Sequence, residues 1–117
     1  LFDKWPDVLP LYLALREKLF AAYPKMTLKA AKTQVSFRNR HVFAMASPPW
    51  RRLRGAPEEY LLVSFGLSHQ SDSPRVWQSV EAYPGRWTHH AVVANAAELD
   101  GELLALIDEA YHFAMVK

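Results

Sequence analysis

The stretch Thr33-Gln-Val-Ser-Phe-Arg-Asn-Arg-His-Val-Phe-Ala-Met-Ala46 decides the fold class of this 117-residue chain. Polar and apolar residues alternate from Thr33 to Arg38, which is the two-residue period of a half-buried strand. Asn39 and Arg40 supply a turn, and residues 41–46 then form a second strand-like run. The stretch therefore predicts an antiparallel β-hairpin in the middle of the chain.

Strand patterns continue on both sides of this hairpin. Residues 26–30 are a short candidate strand, residues 59–67 are an apolar run typical of a central strand, and residues 87–94 contain Trp, Thr and two Val. Residues 76–81 fit either a strand or a helical turn. Pro and Gly between these segments break regular structure and mark the loops.

A helix is predicted at each end of the chain. Residues 7–22 carry apolar side chains at three- and four-residue spacing, with Asp7 as the predicted cap and Pro10 in the first turn. Residues 96–115 carry a second apolar stripe, and Asn95 with Glu98 has the spacing of a capping box. The expected fold is a single α+β domain over residues 1–117. It has an N-terminal helix, an antiparallel β-meander of four to five strands, and a C-terminal helix packed on the same sheet face.

Composition excludes several classes of site. The chain has no cysteine, which rules out disulfides, thiol nucleophiles and thiolate metal sites. Its five histidines show no chelating spacing, so we predict no metal and no other cofactor. No run of about 18 apolar residues is present to cross a bilayer, and we predict a cytoplasmic protein without a membrane partner.

Five short segments carry a resemblance to a known family when they are taken in their order along the chain. They are Lys32-Thr-Gln-Val-Ser-Phe-Arg38, Val42-Phe-Ala44, Pro84-Gly-Arg-Trp-Thr-His-His90, Ala97-Glu-Leu-Asp100 and Glu109-Ala-Tyr111. Through them the chain resembles domain-of-unknown-function family 5655, from its first helix to its last. The resemblance implies a cytoplasmic bacterial module and brings no established activity, substrate or cofactor. Residues 47–56 lie outside the matching pattern.

Polar side chains within the strands define a candidate ligand-binding site. Lys32, Gln34 and Ser36 alternate with their apolar neighbours, so on a strand they share one face and can bind an anion or an amide. His89 and His90 are adjacent and must point to opposite faces, and the sequence leaves open which of them is buried. The predicted ligand-binding residues are Lys32, Gln34, Ser36, Arg86, His89 and His90. The alternatives are a solvated hairpin face and a structural histidine.

The favoured function is a small non-enzymatic binding module with a small anionic ligand, and no residue is predicted to be catalytic. Nucleic-acid association is an alternative, because residues 25–54 contain eight Lys or Arg and no Asp or Glu. In that hypothesis Arg51, Arg52 and Arg54 contact phosphates and Trp50 stacks on bases. A solvated loop is the plainer interpretation of the same residues.

A protein–protein or homodimer module is the third hypothesis. Trp is enriched at the centres of protein interfaces, and Trp5, Trp50 and Trp77 are the candidate anchors.

Overall fold

Two helices and six strands make up the part of the chain that the structure describes. The computed structural model of the chain describes residues 1–116, and Lys117 lies outside the described residues. The elements in chain order are α1 (Leu9–Ala22), β1 (Thr27–Ala30), β2 (Val35–Asn39), β3 (His41–Ser47), β4 (Leu61–Leu67), β5 (Gln78–Tyr83), β6 (Arg86–Val93), a 3₁₀ turn (Ala96–Glu98) and α2 (Gly101–Met115).

All six strands join one antiparallel sheet in the order β1-β2-β3-β4-β6-β5. The predicted hairpin is β2 and β3, and Arg40 at its turn adopts a left-handed backbone with φ of 68°. The predicted number of strands is too low, because both of the weaker candidates pair and form the two edges, β1 and β5. The predicted meander is wrong at its last step, since β6 pairs with β4 and leaves β5 outside it.

Both helices pack on one face of this sheet, as the sequence predicts. Phe37 of β2 and Phe65 of β4 belong to the same buried cluster as Leu15 of α1 and Ile107 of α2. The ring of Tyr12 in α1 stacks on Phe37, with 6.3 Å between the ring centroids. We call this side of the sheet the helix face and the opposite side the open face.

The start of α1 differs from the prediction. The helix begins at Leu9 with Val8 as its N-cap residue, and no side chain caps it. Pro10 lies within the first two helical positions, where its missing N–H is tolerated. Asp7 is exposed and lies outside the helix. No helix within residues 1–116 is long and apolar enough to cross a membrane.

The start of α2 also differs, because a second cap competes with the predicted one. Asn95 makes no side-chain cap bond, and Glu98 accepts a hydrogen bond from the Ala94 amide at 2.6 Å. The first turn is a separate 3₁₀ turn, and α2 begins where Asp100 accepts a hydrogen bond from the Leu103 amide at 2.9 Å. The predicted capping box is therefore wrong.

Arg75 explains why Asp100, and not Asn95, is the residue that caps α2. Its guanidinium lies 3.3 Å from the Asp100 carboxylate and donates a hydrogen bond to the Glu98 carbonyl at 2.8 Å. Arg75 thereby holds the two residues on either side of Leu99, which is buried and has a non-helical ψ of 62°. The chain leaves the helical path at Leu99 and re-enters it after Asp100.

The substitution Asp100→Ala should lower the free energy of unfolding by about 1 kcal/mol, because it removes an N-cap that the structure uses. Asp7→Ala is the matched control and should change stability by less than about 0.5 kcal/mol, since Asp7 caps nothing. Urea denaturation, monitored by circular dichroism, measures the free energy of unfolding of both variants. Equal losses in the two variants would contradict the assignment of the cap.

Candidate functional site on the open face of the sheet

One row of five side chains, four of them polar and one a methionine, crosses the open face. Ser36 lies opposite Met45, Met45 opposite Ser64, Ser64 opposite His90, and His90 opposite Gln78. Directly paired residues on neighbouring strands have Cβ atoms about 5 Å apart, so these five side chains form a continuous line. We call them the polar row.

His90 is held within this row by Ser64. The Ser64 hydroxyl and the His90 Nδ1 are 2.7 Å apart, and Ser64 is buried while His90 is half-buried. Burial lowers the pKa of His90 below its usual value. The imidazole is therefore neutral near pH 7, and its Nε2 has no hydrogen-bond partner among residues 1–116.

His89 belongs to the helix face and has a structural environment. It is fully buried and stacks on Phe65, with 5.4 Å between the ring centroids. Its Nε2 accepts a hydrogen bond from the Ser71 amide at 2.9 Å, which ties the loop after β4 to the sheet. Burial lowers the pKa of this imidazole as well. Of the two adjacent histidines, only His90 lies on the open face.

The other predicted ligand-binding residues are divided between the polar row and places away from it. Gln34 lies beside the row and donates a hydrogen bond to the Met45 sulfur at 3.1 Å. Lys32 is exposed in the turn before β2 and so lies outside the strand. Arg86 begins β6, and its guanidinium lies 4.7 Å from the centroid of the Phe113 ring in α2. Gln34 and His90 line one groove, and Ser36 lies on the same face with β3 and β4 between it and His90. Lys32, Arg86 and His89 lie elsewhere.

Residues 48–60, which we call the arginine loop, fold back over part of the open face. Tyr60 anchors the loop: its ring is fully buried, and its hydroxyl accepts a hydrogen bond from the Leu53 amide at 2.9 Å. A small cluster containing Ala56, Tyr60 and Val92 packs the loop against the sheet. Arg52 donates a hydrogen bond to the Ala56 carbonyl at 3.1 Å, which closes the loop on itself. The sequence predicts Tyr60 within the strand over residues 59–67, but β4 begins at Leu61 and Tyr60 ends the loop.

Trp50 in the arginine loop and Trp77 before β5 both have an indole N–H that is already bonded. Trp50 donates to the Thr33 carbonyl at 2.7 Å, and Trp77 donates to the Arg54 carbonyl at 3.2 Å. Both residues stay exposed, at 48% for Trp50 and 44% for Trp77. Trp5, the third proposed interface anchor, is half-buried and meets Trp50 edge to face at a centroid distance of 4.9 Å.

Two adjoining grooves lie between the loop and the sheet. The sheet-side groove, of about 280 Å³, is lined by Gln34 and His90 from the sheet and by Trp50 and Arg51 from the loop. The loop-side groove, of about 360 Å³, is lined by Trp77 and by residues 51–54. Arg51, Leu53 and Gln78 line both grooves, and no Asp or Glu of the described chain lines either one. Within residues 1–116 no three His, Asp or Glu side chains are grouped to hold a metal ion.

The pH dependence of stability tests the environment of His90. Burial lowers its pKa, so below pH about 6.5 the unfolded chain binds the proton more strongly than the native protein, and stability falls as the pH falls. His90→Gln should remove this contribution and flatten the fall by less than about 1.4 kcal/mol per pH unit. Urea denaturation at several pH values between 7.5 and 5 measures the slope.

His69→Gln is the control with the opposite sign. The hydrogen bond between His69 and Glu109, at 2.6 Å, raises the pKa of His69. The stabilisation of the fold by this contact of protonated His69 is fully present below pH about 6.5 and is lost as the pH rises. His69→Gln should therefore steepen the fall on acidification. If the stability of the His90→Gln protein falls as steeply with decreasing pH as that of the parent, the buried environment of His90 is contradicted.

Comparison with known proteins identifies a family. The family model described as "Domain of unknown function (DUF5655)" matches residues 1–114. The matched span contains all six strands, the polar row and the arginine loop. Neither the curated proteins nor the solved structures contain a match to this chain. Because the family match extends over nearly the whole sequence, the resemblance found in the sequence is confirmed, and the protein belongs to the DUF5655 family.

Proposed function

We propose that this domain is a non-enzymatic binding module that takes an anionic ligand with a planar group in the sheet-side groove. The observation that carries the proposal is the meeting of Arg51, Trp50, Gln34 and His90 in one groove with no acidic side chain in its lining. A bacterial and cytoplasmic setting is part of the proposal, because the family resemblance implies it and a chain without cysteine suits a reducing compartment.

The side chains of the groove suit such a ligand chemically. A guanidinium binds phosphate or carboxylate oxygens through paired, charge-assisted hydrogen bonds, and the side chain of Arg51 makes no hydrogen bond within the described chain. The exposed indole of Trp50 offers a surface on which a planar ring can stack. The groove therefore supplies both a positive charge and an apolar plane.

Gln34 and His90 supply the hydrogen bonds that would orient the ligand. A thioether sulfur is a weak acceptor, so the Gln34 amide can exchange its bond to Met45 for a stronger acceptor on a ligand. The neutral imidazole of His90 is fixed by Ser64 and has its Nε2 available to a ligand. His90 is held by β6, and Gln34 directly precedes β2, so both groups start from backbone that the sheet positions.

The contacts of Ser64 and His90 favour binding over catalysis. Their separation of 2.7 Å is that of a nucleophile and its base. However, Ser64 is buried and does not line the groove, and no carboxylate of residues 1–116 bonds to His90 to orient it as in a catalytic triad. The hydrogen bond between them serves to fix the imidazole in place.

Adenosine monophosphate and adenosine are suitable probes for isothermal titration calorimetry, because they share the planar base and differ in the phosphate. We expect the monophosphate to bind more tightly. Arg51→Ala should weaken its binding by about tenfold or more, since a hydrogen bond to a charged group contributes about 1.5–3 kcal/mol.

Lys18→Ala is the matched control for this measurement. It removes one positive charge from an exposed position on α1, on the other side of the sheet, and should leave the affinity unchanged. The proposal fails if adenosine monophosphate does not bind. It also fails if Arg51→Ala has no effect or if the two variants weaken binding equally, because the attraction would then be non-specific charge.

A further inference from the structure

We infer that the ligand of the open face is single-stranded nucleic acid, bound along the sheet-side and loop-side grooves together. The inference rests on the proposed function, since it uses the same groove and the same Arg51, and it adds the class of ligand. Its first support is that the grooves adjoin: Arg51, Leu53 and Gln78 form part of the wall of each. A ligand longer than one nucleotide can therefore occupy both.

Each groove has one tryptophan as a stacking surface. Trp50 lines the sheet-side groove and Trp77 lines the loop-side groove. Because each indole N–H is bonded to a backbone carbonyl, the rings are held in place while about half of each residue remains exposed. Unpaired bases stack on such rings with little regard to their identity.

Two arginines line the grooves beside the stacking surfaces, since Arg51 lines both grooves and Arg54 lines the loop-side groove. The side chains of Arg51 and Arg54 make no hydrogen bond with any described residue, so both can bind phosphate oxygens. Glu58 and Glu59 belong to the same loop, but they line neither groove. The formal net charge of the whole chain is only +2, so the attraction for a polyanion comes from this local cluster.

The geometry favours a single strand over a duplex. Bases in a duplex are already paired and stacked, so they cannot lie on Trp50 and Trp77 without being extruded. The polar row adds hydrogen-bonding groups beside the grooves, with His90 and Gln78 among the lining residues. Such groups can bond to the edges of unpaired bases.

Trp77 gives the most selective test, because it lines the loop-side groove and not the sheet-side groove. The probe is a fluorescein-labelled ten-nucleotide oligothymidylate, titrated by fluorescence anisotropy at low salt. Oligouridylate of the same length compares RNA with DNA, and a ten-base-pair duplex compares paired with unpaired bases. We expect either single strand to bind at least about tenfold more tightly than adenosine monophosphate and more tightly than the duplex.

The variants separate stacking from charge. Trp77→Ala should weaken single-strand binding by roughly 5- to 150-fold, and Trp77→Phe should keep most of the affinity because it retains a ring. Arg54→Ala should reduce the slope of log affinity against log salt by about 0.7 for a single strand. Equal thermal midpoints for the Trp77 variants establish that both are folded, and Lys18→Ala again serves as the control.

Failure of this inference differs from failure of the proposed function. If adenosine monophosphate binds in a manner that depends on Arg51 but the single strand binds no more tightly, the ligand is a small molecule and the inference is wrong. It is also wrong if the duplex binds as well as the single strand, or if Trp77→Ala leaves strand affinity unchanged. If neither adenosine monophosphate nor the strands bind, both the inference and the proposed function fail.

Discussion

Adjacent residues of a strand point to opposite faces of a sheet, and the pairing of β4 with β6 applies this constraint to the centre of the protein. Phe65 and His89 are paired and lie on the helix face, whereas Ser64 and His90 are paired and lie on the open face. A shift of one residue in this register would exchange the two faces and place polar groups in the core. The separation of core from candidate site depends on this single register.

The open face becomes a site because a loop is packed against part of it. Tyr60, the last residue of the arginine loop, is buried, and its hydroxyl accepts a hydrogen bond from the Leu53 amide. A buried hydroxyl without a partner would be costly, so this hydrogen bond also favours one arrangement of the loop. The arginines are thereby presented next to the polar row, and each of the two tryptophans is bonded to a fixed backbone carbonyl. The packing of the loop on the sheet therefore places the arginines and the tryptophan rings next to each other.

The sequence predicts those parts of the fold that depend on neighbouring residues. The hairpin of β2 and β3 follows from the alternation around Phe37 and the turn at Arg40, and both are confirmed. Long-range pairing is different: nothing local indicates that β6 pairs with β4 and moves β5 to the edge. The cap of α2 was mispredicted for a similar reason, since the partner that favours Asp100 over Asn95 is Arg75, which is distant in sequence.

The candidate site was predictable in its components but not in its assembly. Alternation placed Gln34 and Ser36 on one face, and the composition of the loop indicated Trp50 and the arginines. In the sequence they are separate hypotheses, because the packing that places the loop on the same face as the polar row, around the buried Tyr60, is long-range. The ligand-binding roles of these residues stay a proposal.

The most direct test of the account is a map of chemical-shift changes in the ¹⁵N-labelled protein during titration with the oligothymidylate. Binding on the open face should shift the indole N–H signals of Trp50 and Trp77 together with the amides of the polar row, while the amides of α1 stay unchanged. Shifts concentrated on α1, or the absence of shifts at both tryptophans, would contradict a binding site on the open face.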